Sequence, residues 1–201
     1  MNPFSLDTLP APLEWQTAPL AYDTDNADTL QITAGAQTDW FFDPANAMRK
    51  NDAPVCLFTP PARPFTLHAR VKVEFVSRFD AGVLFVYGDA AHWAKLCFEY
   101  SPQGQPMVVS VVTRDVSDDC NAVTLPDNAV FLRVYADDKI CAFHYSLDGA
   151  YWHLVRYFAL GVSENVRVGF SAQAPTGNGC RAEFSQIVFA ARALDDLRSG
   201  Q

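Results

Sequence analysis

At 201 residues the chain has the length of one all-β sandwich, and with 49% hydrophobic and 13% aromatic residues it can bury a core, which excludes a disordered chain. Its formal net charge is −8, from 15 basic against 23 acidic side chains, and it has no basic run, which argues against a phosphate backbone or an anionic membrane surface as partner. No stretch approaches the ~20 consecutive apolar residues that a bilayer-spanning helix needs, so neither nucleic acid nor membrane is an expected partner.

From the N-terminus, residues 1–20 are proline-rich, carry no basic residue and contain no apolar run of the kind a secretion signal needs. They read as a strap across the sandwich rather than a domain, so that residues 1–201 form a single unit. Cys56, Cys97, Cys120, Cys141 and Cys180 are odd in number and widely spaced, with no C-x-x-C. Without a secretion signal, this pattern predicts reduced thiols and a cytoplasmic location. Cys97 and Cys141 lie inside strand patterns, where cysteine acts as a small hydrophobe.

Turn signals recur about every 8 to 12 residues, the rhythm of a sandwich or barrel. They include Asp80-Ala81-Gly82, Gly88-Asp89, Pro102-Gln103-Gly104, Asp137-Asp138, Asp148-Gly149 and the loop from Pro175 to Gly179. Between them, Phe65 to Phe75 alternates strictly, apolar at every odd position and polar at every even one. That pattern predicts a long strand with one face on a core and one in water, with His68 on the wet face. His92 to Tyr100 differs. Ala94, Leu96, Phe98 and Tyr100 make an apolar face, while Trp93, Lys95, Cys97 and Glu99 make a mixed one. Val130, Leu132 and Val134 are likewise apolar, opposite Phe131, Arg133 and Tyr135.

A two-residue hairpin at Asp137-Asp138 would pair Tyr135 with Ile140, Arg133 with Ala142 and Phe131 with His144, leaving Cys141, Phe143 and Tyr145 in the core. Val166, Val168, Phe170 and Ala172 point inward, and Arg167, Gly169, Ser171 and Gln173 outward. The tail, residues 190–201, reads as one or two frayed turns of helix.

Several strands thus carry a mixed aromatic and charged outer face. On the hollow side of a curved sheet such a face makes a groove, suited to stacking on sugar rings and bonding hydroxyls. Alternatively, it is a plain sheet face whose apolar residues pack under the strap. The chain has no G-x-S-x-G, H-E-x-x-H, phosphate-loop or dinucleotide motif, and its four histidines, at 68, 92, 144 and 153, are not paired at metal-ligand spacing. No cofactor and no metal are therefore expected. Glycoside hydrolysis needs two carboxyls about the scissile bond. Glu99 stands alone in its strand, and Asp115, Asp118 and Asp119 lie in the loop that follows. The stretch from Ser146 to Trp152 is close to a sialidase Asp-box but one residue short and present once. It reads as a turn made by Asp148-Gly149, with Ser146 bonding across it and Trp152 packing after it.

The segment Lys95 to Tyr100, then Ser110 to Arg114 with Ser117-Asp118, then Asp148-Gly149 with Trp152, then Val168-Gly169-Phe170 before a Pro-Gly loop, resembles the DUF1349 family. The early Thr38-Asp39-Trp40 fits as well, and the resemblance spans about residues 10 to 190. It implies the concanavalin A-like lectin/glucanase superfamily: a two-sheet antiparallel jelly-roll sandwich with a concave sheet, often in bacterial or fungal cytoplasmic proteins without a settled activity. A fungal branch is linked by name to regulation of enolase. Where the family carries an aromatic after Ser-Asp, this chain has Asp119-Cys120, which weakens any carry-over of a ligand contact there. The superfamily's alternating acidic glucanase motif is missing, which argues against hydrolysis.

The expectation is a non-catalytic module whose concave face holds a carbohydrate or sugar-like metabolite. Trp40 and Trp93 are expected to stack on the ring, and Lys95, Glu99, Arg133, Tyr135 and Gln173 to bond hydroxyls or an acidic substituent. Two other readings stand beside it. One is a glycoside hydrolase or lyase using Glu99 with Asp118 or Asp119. The other is a regulatory protein-interaction domain, with a protein partner or a second copy of the chain.

Overall fold

Strands make up all the helix-or-strand structure among residues 1–25 and 27–201, the part of the chain that the computed structural model describes. In chain order they are β1 (Glu14–Thr17), β2 (Ala21–Thr24), β3 (Leu30–Gly35), β4 (Trp40–Phe42), β5 (Arg49–Asn51), β6 (Val55–Phe58), β7 (Phe65–Glu74), β8 (Ala81–Tyr87), β9 (His92–Tyr100), β10 (Pro106–Arg114), β11 (Val116–Thr124), β12 (Ala129–Ala136), β13 (Cys141–Ser146), β14 (His153–Phe158), β15 (Arg167–Gln173) and β16 (Gly179–Ala190). Among the described residues no helix is long and apolar enough to cross a membrane.

Two seven-stranded antiparallel sheets face each other. The first runs β1-β6-β15-β8-β9-β10-β11 and the second β14-β13-β12-β7-β16-β3-β2. The architecture is the expected jelly-roll sandwich. Period-2 alternation explains why these residues form it: on β7, Phe65, Leu67, Ala69, Val71 and Val73 are all fully buried, and across the core Leu84, Leu96, Phe98, Val168 and Phe170 answer them. Burying one such large side chain contributes about 1.5–3 kcal/mol. The sheets approach so closely that a Cβ on Gly82 would meet Val71 Cγ1 at 2.6 Å and the Ala182 Cβ at 3.0 Å. Only glycine fits that crossing.

The turn at Asp148-Gly149 is built as expected. Ser146 Oγ donates to Asp148 Oδ1 at 3.0 Å and accepts from the Gly149 N–H at 2.8 Å, and Gly149 takes a φ of +77°. Trp152 is buried just beyond it.

Five local expectations are corrected. The hairpin at Asp137-Asp138 is longer by two residues: Ala136 pairs with Cys141, Tyr135 with Ala142, Arg133 with His144 and Phe131 with Ser146. The turn is closed by the Asp137 N–H donating to the Ile140 carbonyl at 3.0 Å, with Asp137 Oδ1 accepting from the N–H groups of Lys139 and Ile140. A slip of two keeps every side chain on its face, so Cys141 and Phe143 still enter the core.

The strap does not cross a sheet face. Its β1 becomes an edge strand beside β6, and Phe4, Trp15 and Tyr22 cluster at that edge with ring centroids 5.0–5.7 Å apart. The stretch beyond Asp115, expected as a loop, is the edge strand β11. The tail forms no helix; it lies on the outer face of the second sheet, where Arg133 Nη2 donates to the Gly200 carbonyl at 2.7 Å and His144 Nε2 to the Leu197 carbonyl at 2.7 Å. His68 is accordingly half-buried beside Trp152 rather than in water.

Candidate functional site

Register across the first sheet sets the outward side chains in rows. Gln173, Ala81, Glu99 and Met107 form one row across β15, β8, β9 and β10. The next holds Ser171, Val83, Cys97, Val109 and, on β11, Asn121. The third holds Gly169, Phe85, Lys95, Val111 and Asp119, and the fourth Arg167, Tyr87, Trp93, Thr113 and Ser117.

The hairpin of β4 and β5 lies over the fourth row. Trp40 meets Trp93 edge-on at 5.5 Å and Phe85 at 5.2 Å, and Phe42 meets Trp93 at 5.4 Å. The Trp40 indole N–H donates to the Ala53 carbonyl at 2.9 Å, and the Phe42 N–H to Ser117 Oγ at 2.9 Å. Trp93 is 0% exposed and Trp40 3%. The outer face is therefore divided into a covered half and an open half, and the expected packing under the strap is corrected. The Trp93 end is a second apolar core, plugged by the β4–β5 hairpin and not by the N-terminal strap, while the Glu99 end is open.

The open half is a groove enclosing about 400 Å³. Its walls include Phe41 and Met48 of the hairpin, Phe79 and Pro102 of neighbouring loops, and Met107 and Val109 of β10. Its floor is a chain of polar contacts. Lys95 Nζ lies 3.1 Å from Asp39 Oδ1 and donates to Gln173 Oε1 at 2.9 Å. Gln173 Nε2 donates to the Phe79 carbonyl at 3.2 Å and reaches Glu99 Oε2 at 3.5 Å across Ala81, whose methyl leaves room for it. Asp39 is fixed in turn: its N–H donates to Asp52 Oδ1 at 2.9 Å, and its Oδ1 accepts from the Trp40 N–H at 2.7 Å.

The electrostatics follow from this packing. Burial alone would lower the Lys95 ammonium, but the Asp39 carboxylate, with Glu99 behind it, outweighs that and holds it above its ordinary value. Burial pushes the Glu99 carboxyl up to about 8, with Lys95 opposing and Asp39 and Asp119 adding to the rise. At neutral pH Glu99 is therefore mostly the uncharged acid, able to donate a hydrogen bond as well as accept one. Among the described residues no group of three or more His, Cys, Asp and Glu side chains could hold a metal ion.

Of the seven residues singled out from the sequence, the structure brings Lys95, Glu99 and Gln173 together on the groove floor. Trp40 and Trp93 lie next to it but are packed away, so the expected ring stacking by these two does not fit. Arg133 and Tyr135 are not there at all. β12 pairs with β7 and β13 in the second sheet, so they point from the opposite side of the molecule. Arg133 sits over the Trp152 ring at 4.2 Å beneath the tail, and the Tyr135 hydroxyl donates to Asp137 Oδ2 at 3.1 Å. Alternation is the same on both sheets, and only long-range pairing assigns a strand to one of them. Asp119 faces the groove, whereas Asp118 points away and pairs with Arg156 at 2.9 Å. Asp39, quoted only within the family resemblance, and Phe41 and Phe79 were not among the expected site residues. One signal pointed to Asp39: a lysine on an apolar strand, between Trp93 and Cys97, needs a buried carboxylate partner.

Several solved structures share this fold. A functionally unknown protein from Saccharomyces cerevisiae is 24% identical, with a TM-score of 0.82 over 90% of this chain and 97% of its own. A mutant of the GH43 protein BlXynB from Bacillus licheniformis is 14% identical at a TM-score of 0.71, over 90% of this chain but only 37% of its own. Xylan β-1,4-xylosidase from Bacillus halodurans C-125 is 14% identical at a TM-score of 0.65, over 88% of this chain and 38% of its own. The chain thus spans little more than a third of those two longer proteins. No curated protein matches it. The model of the family described as "Protein of unknown function (DUF1349)" matches residues 15–191, and the chain belongs to that family.

Proposed function

We propose that the open groove binds a carbohydrate or sugar-like metabolite and that the protein works as a binding module. One observation carries this reading. Three strand-borne polar side chains, Lys95, Gln173 and Glu99, meet on the floor of a cavity of about 400 Å³ whose walls are aromatic, methionine and proline side chains. A pyranose or furanose ring has the matching character, with apolar C–H faces for Phe41 and Phe79 and a hydroxyl edge for the floor. The longer proteins that share the fold include a named xylosidase, which makes xylose-based saccharides the first to try. The test is calorimetric titration with xylotriose and cellotriose. The wild-type protein should bind at least one of them, and Gln173→Ala or Glu99→Ala should weaken it about tenfold or more, or ~1.4 kcal/mol. Unchanged affinity in both variants would count against the groove.

Glu99 raised to about 8, with Asp119 facing the same groove, favours a second reading. A neutral acid and a carboxylate on one groove are the parts of a glycosidase. Release of nitrophenol from aryl xylosides or glucosides that disappears in Glu99→Gln would establish catalysis. No release in the wild-type protein leaves the binding module. The same account takes the protein as cytoplasmic, its five cysteines reduced.

A further inference from the structure

We propose that Phe79 is the residue on which the ligand's ring stacks, and that the turn carrying it is held in a costly conformation so that its side chain stands in the groove wall before any ligand arrives. The class of ligand rests on the saccharide reading of the groove, but the role of Phe79 can be tested with a ring that is not a sugar.

The chain breaks a local rule at this residue. Phe79 has a φ of +69°, in the left-handed region where a Cβ crowds the backbone and glycine fits best. Among the described residues, six that are not glycine take a positive φ; five are asparagine, aspartate or glutamine, and Phe79 is the only aromatic. Ser77 to Asp80 form a four-residue turn, closed by the Asp80 N–H donating to the Ser77 carbonyl at 3.1 Å. Phe79 stands at its third position, where a turn with positive φ calls for glycine or asparagine. A residue held this way persists only where its surroundings over-determine it, and such residues cluster at ligand sites.

The surroundings of Phe79 do over-determine it. Asp80 is 0% exposed, and its Oδ2 accepts from the N–H groups of Val76 at 3.0 Å and Ser77 at 2.7 Å. Its Oδ1 is buried and has no hydrogen-bond partner among the described residues. The Phe79 N–H donates to the Tyr100 carbonyl at 2.7 Å, the Tyr100 N–H to the Asp80 carbonyl at 2.9 Å, and Thr176 Oγ1 to the Arg78 carbonyl at 2.7 Å. Two unfavourable features, a left-handed phenylalanine and a buried carboxyl with an unsatisfied oxygen, thus meet in one turn. What the turn achieves is placement. Phe79 is half-buried in the groove wall, and its carbonyl accepts from Gln173 Nε2 at 3.2 Å. One residue therefore sets an aromatic wall and fixes the floor amide that reaches Glu99. Phe41, the other aromatic of the wall, sits in strand β4 with no positive φ.

The experiment compares Phe79→Gly with Phe79→Ala in the full chain. Both remove the ring, but only glycine accepts the left-handed backbone without strain. Phe79→Gly should therefore melt about 2–4 °C above Phe79→Ala, the reverse of the order at an ordinary position. Binding is followed by amide chemical shifts with two probes, xylotriose and cyclohexanol, the second a plain six-membered ring with one hydroxyl. Both should bind the wild-type protein at the groove, and both should bind Phe79→Gly at least tenfold more weakly. A Phe79→Gly protein no more stable than Phe79→Ala overturns the inference, as does an affinity of Phe79→Gly within threefold of the wild type, or a wild-type protein that binds neither probe. If xylotriose does not bind but cyclohexanol behaves as stated, the saccharide reading fails and the role of Phe79 stands. If xylotriose binds the wild type and Phe79→Gly alike, the saccharide reading stands and the role of Phe79 falls.

Discussion

Asp39 and Lys95, 56 positions apart in the chain, meet at 3.1 Å beneath the groove, and both are almost wholly buried. The contact ties the start of β4 to the middle of β9. It holds the covering hairpin on the sheet and supplies the cation against which Gln173 is oriented.

Breaking this pair from one side leaves a buried charge without a partner. Lys95→Ala or Asp39→Ala should lower unfolding free energy by about 3–5 kcal/mol, the usual range when one member of a buried ion pair is removed. Replacing both, as Asp39→Asn with Lys95→Met, should cost much less. Denaturant unfolding of the three variants checks this, and equal losses in the single and double variants would contradict it.

Trp93 is a core residue. It packs against Trp40, Phe42 and Phe85, with no exposed surface. Trp93→Ala should cost about 3–5 kcal/mol, as for other large buried aromatics. A loss under about 1 kcal/mol, more typical of a surface position, would mean that the hairpin does not cover it in solution.

Much of this was legible in the sequence, and the reasons are local. Alternation in Phe65–Phe75 and Val166–Gln173 identified the inward faces correctly, because a strand's period of two shows in any short window. The lone carboxyl and lysine of His92–Tyr100 marked the face that carries the groove. What stayed hidden was non-local. Nothing near Arg133 distinguishes a strand of the first sheet from one of the second, and nothing near Trp40 says that three residues of hairpin will cap Trp93. The hairpin at Asp137 illustrates the same limit: its face assignment survived, while its register depended on Asp137 capping Lys139 and Ile140.

Acid sensitivity should come from the opposite face. Burial, helped by Arg133, lowers His144 to about 4 against the hydrogen bond to Leu197, and burial with Arg133 and Arg192 lowers His68 to about 4. Among the described residues His144 Nδ1 has no hydrogen-bond partner, so a proton placed there would be a buried, unpaired donor beside a guanidinium. In the unfolded chain both histidines titrate near 6.5. Between about 6.5 and 4 the unfolded state therefore binds protons that the folded state does not, and stability present above pH 6.5 is lost as pH falls through that window. His144 should account for on the order of 3 kcal/mol of the loss and the more exposed His68 for less. Melting curves at pH 7, 6, 5 and 4 should show the decline, and His144→Gln should flatten it markedly. An undiminished slope in that variant would contradict the assignment.

Thiol chemistry should separate the cysteines by burial. Cys120 is exposed, while Cys56, Cys97, Cys141 and Cys180 are buried, and burial raises the pKa of each of these four. A thiol reagent should modify one cysteine quickly in the native protein and all five after denaturation. Fewer than five in the denatured, unreduced protein would reveal a disulfide.

Where a ligand sits decides between the groove and the opposite face. The most direct measurement is amide chemical-shift mapping during a xylotriose titration. Shifts centred on Lys95, Glu99, Gln173 and Asp119, with Arg133, Tyr135 and the tail unmoved, are the predicted result. Shifts centred on Arg133, Tyr135 and the tail, with the groove silent, would contradict it.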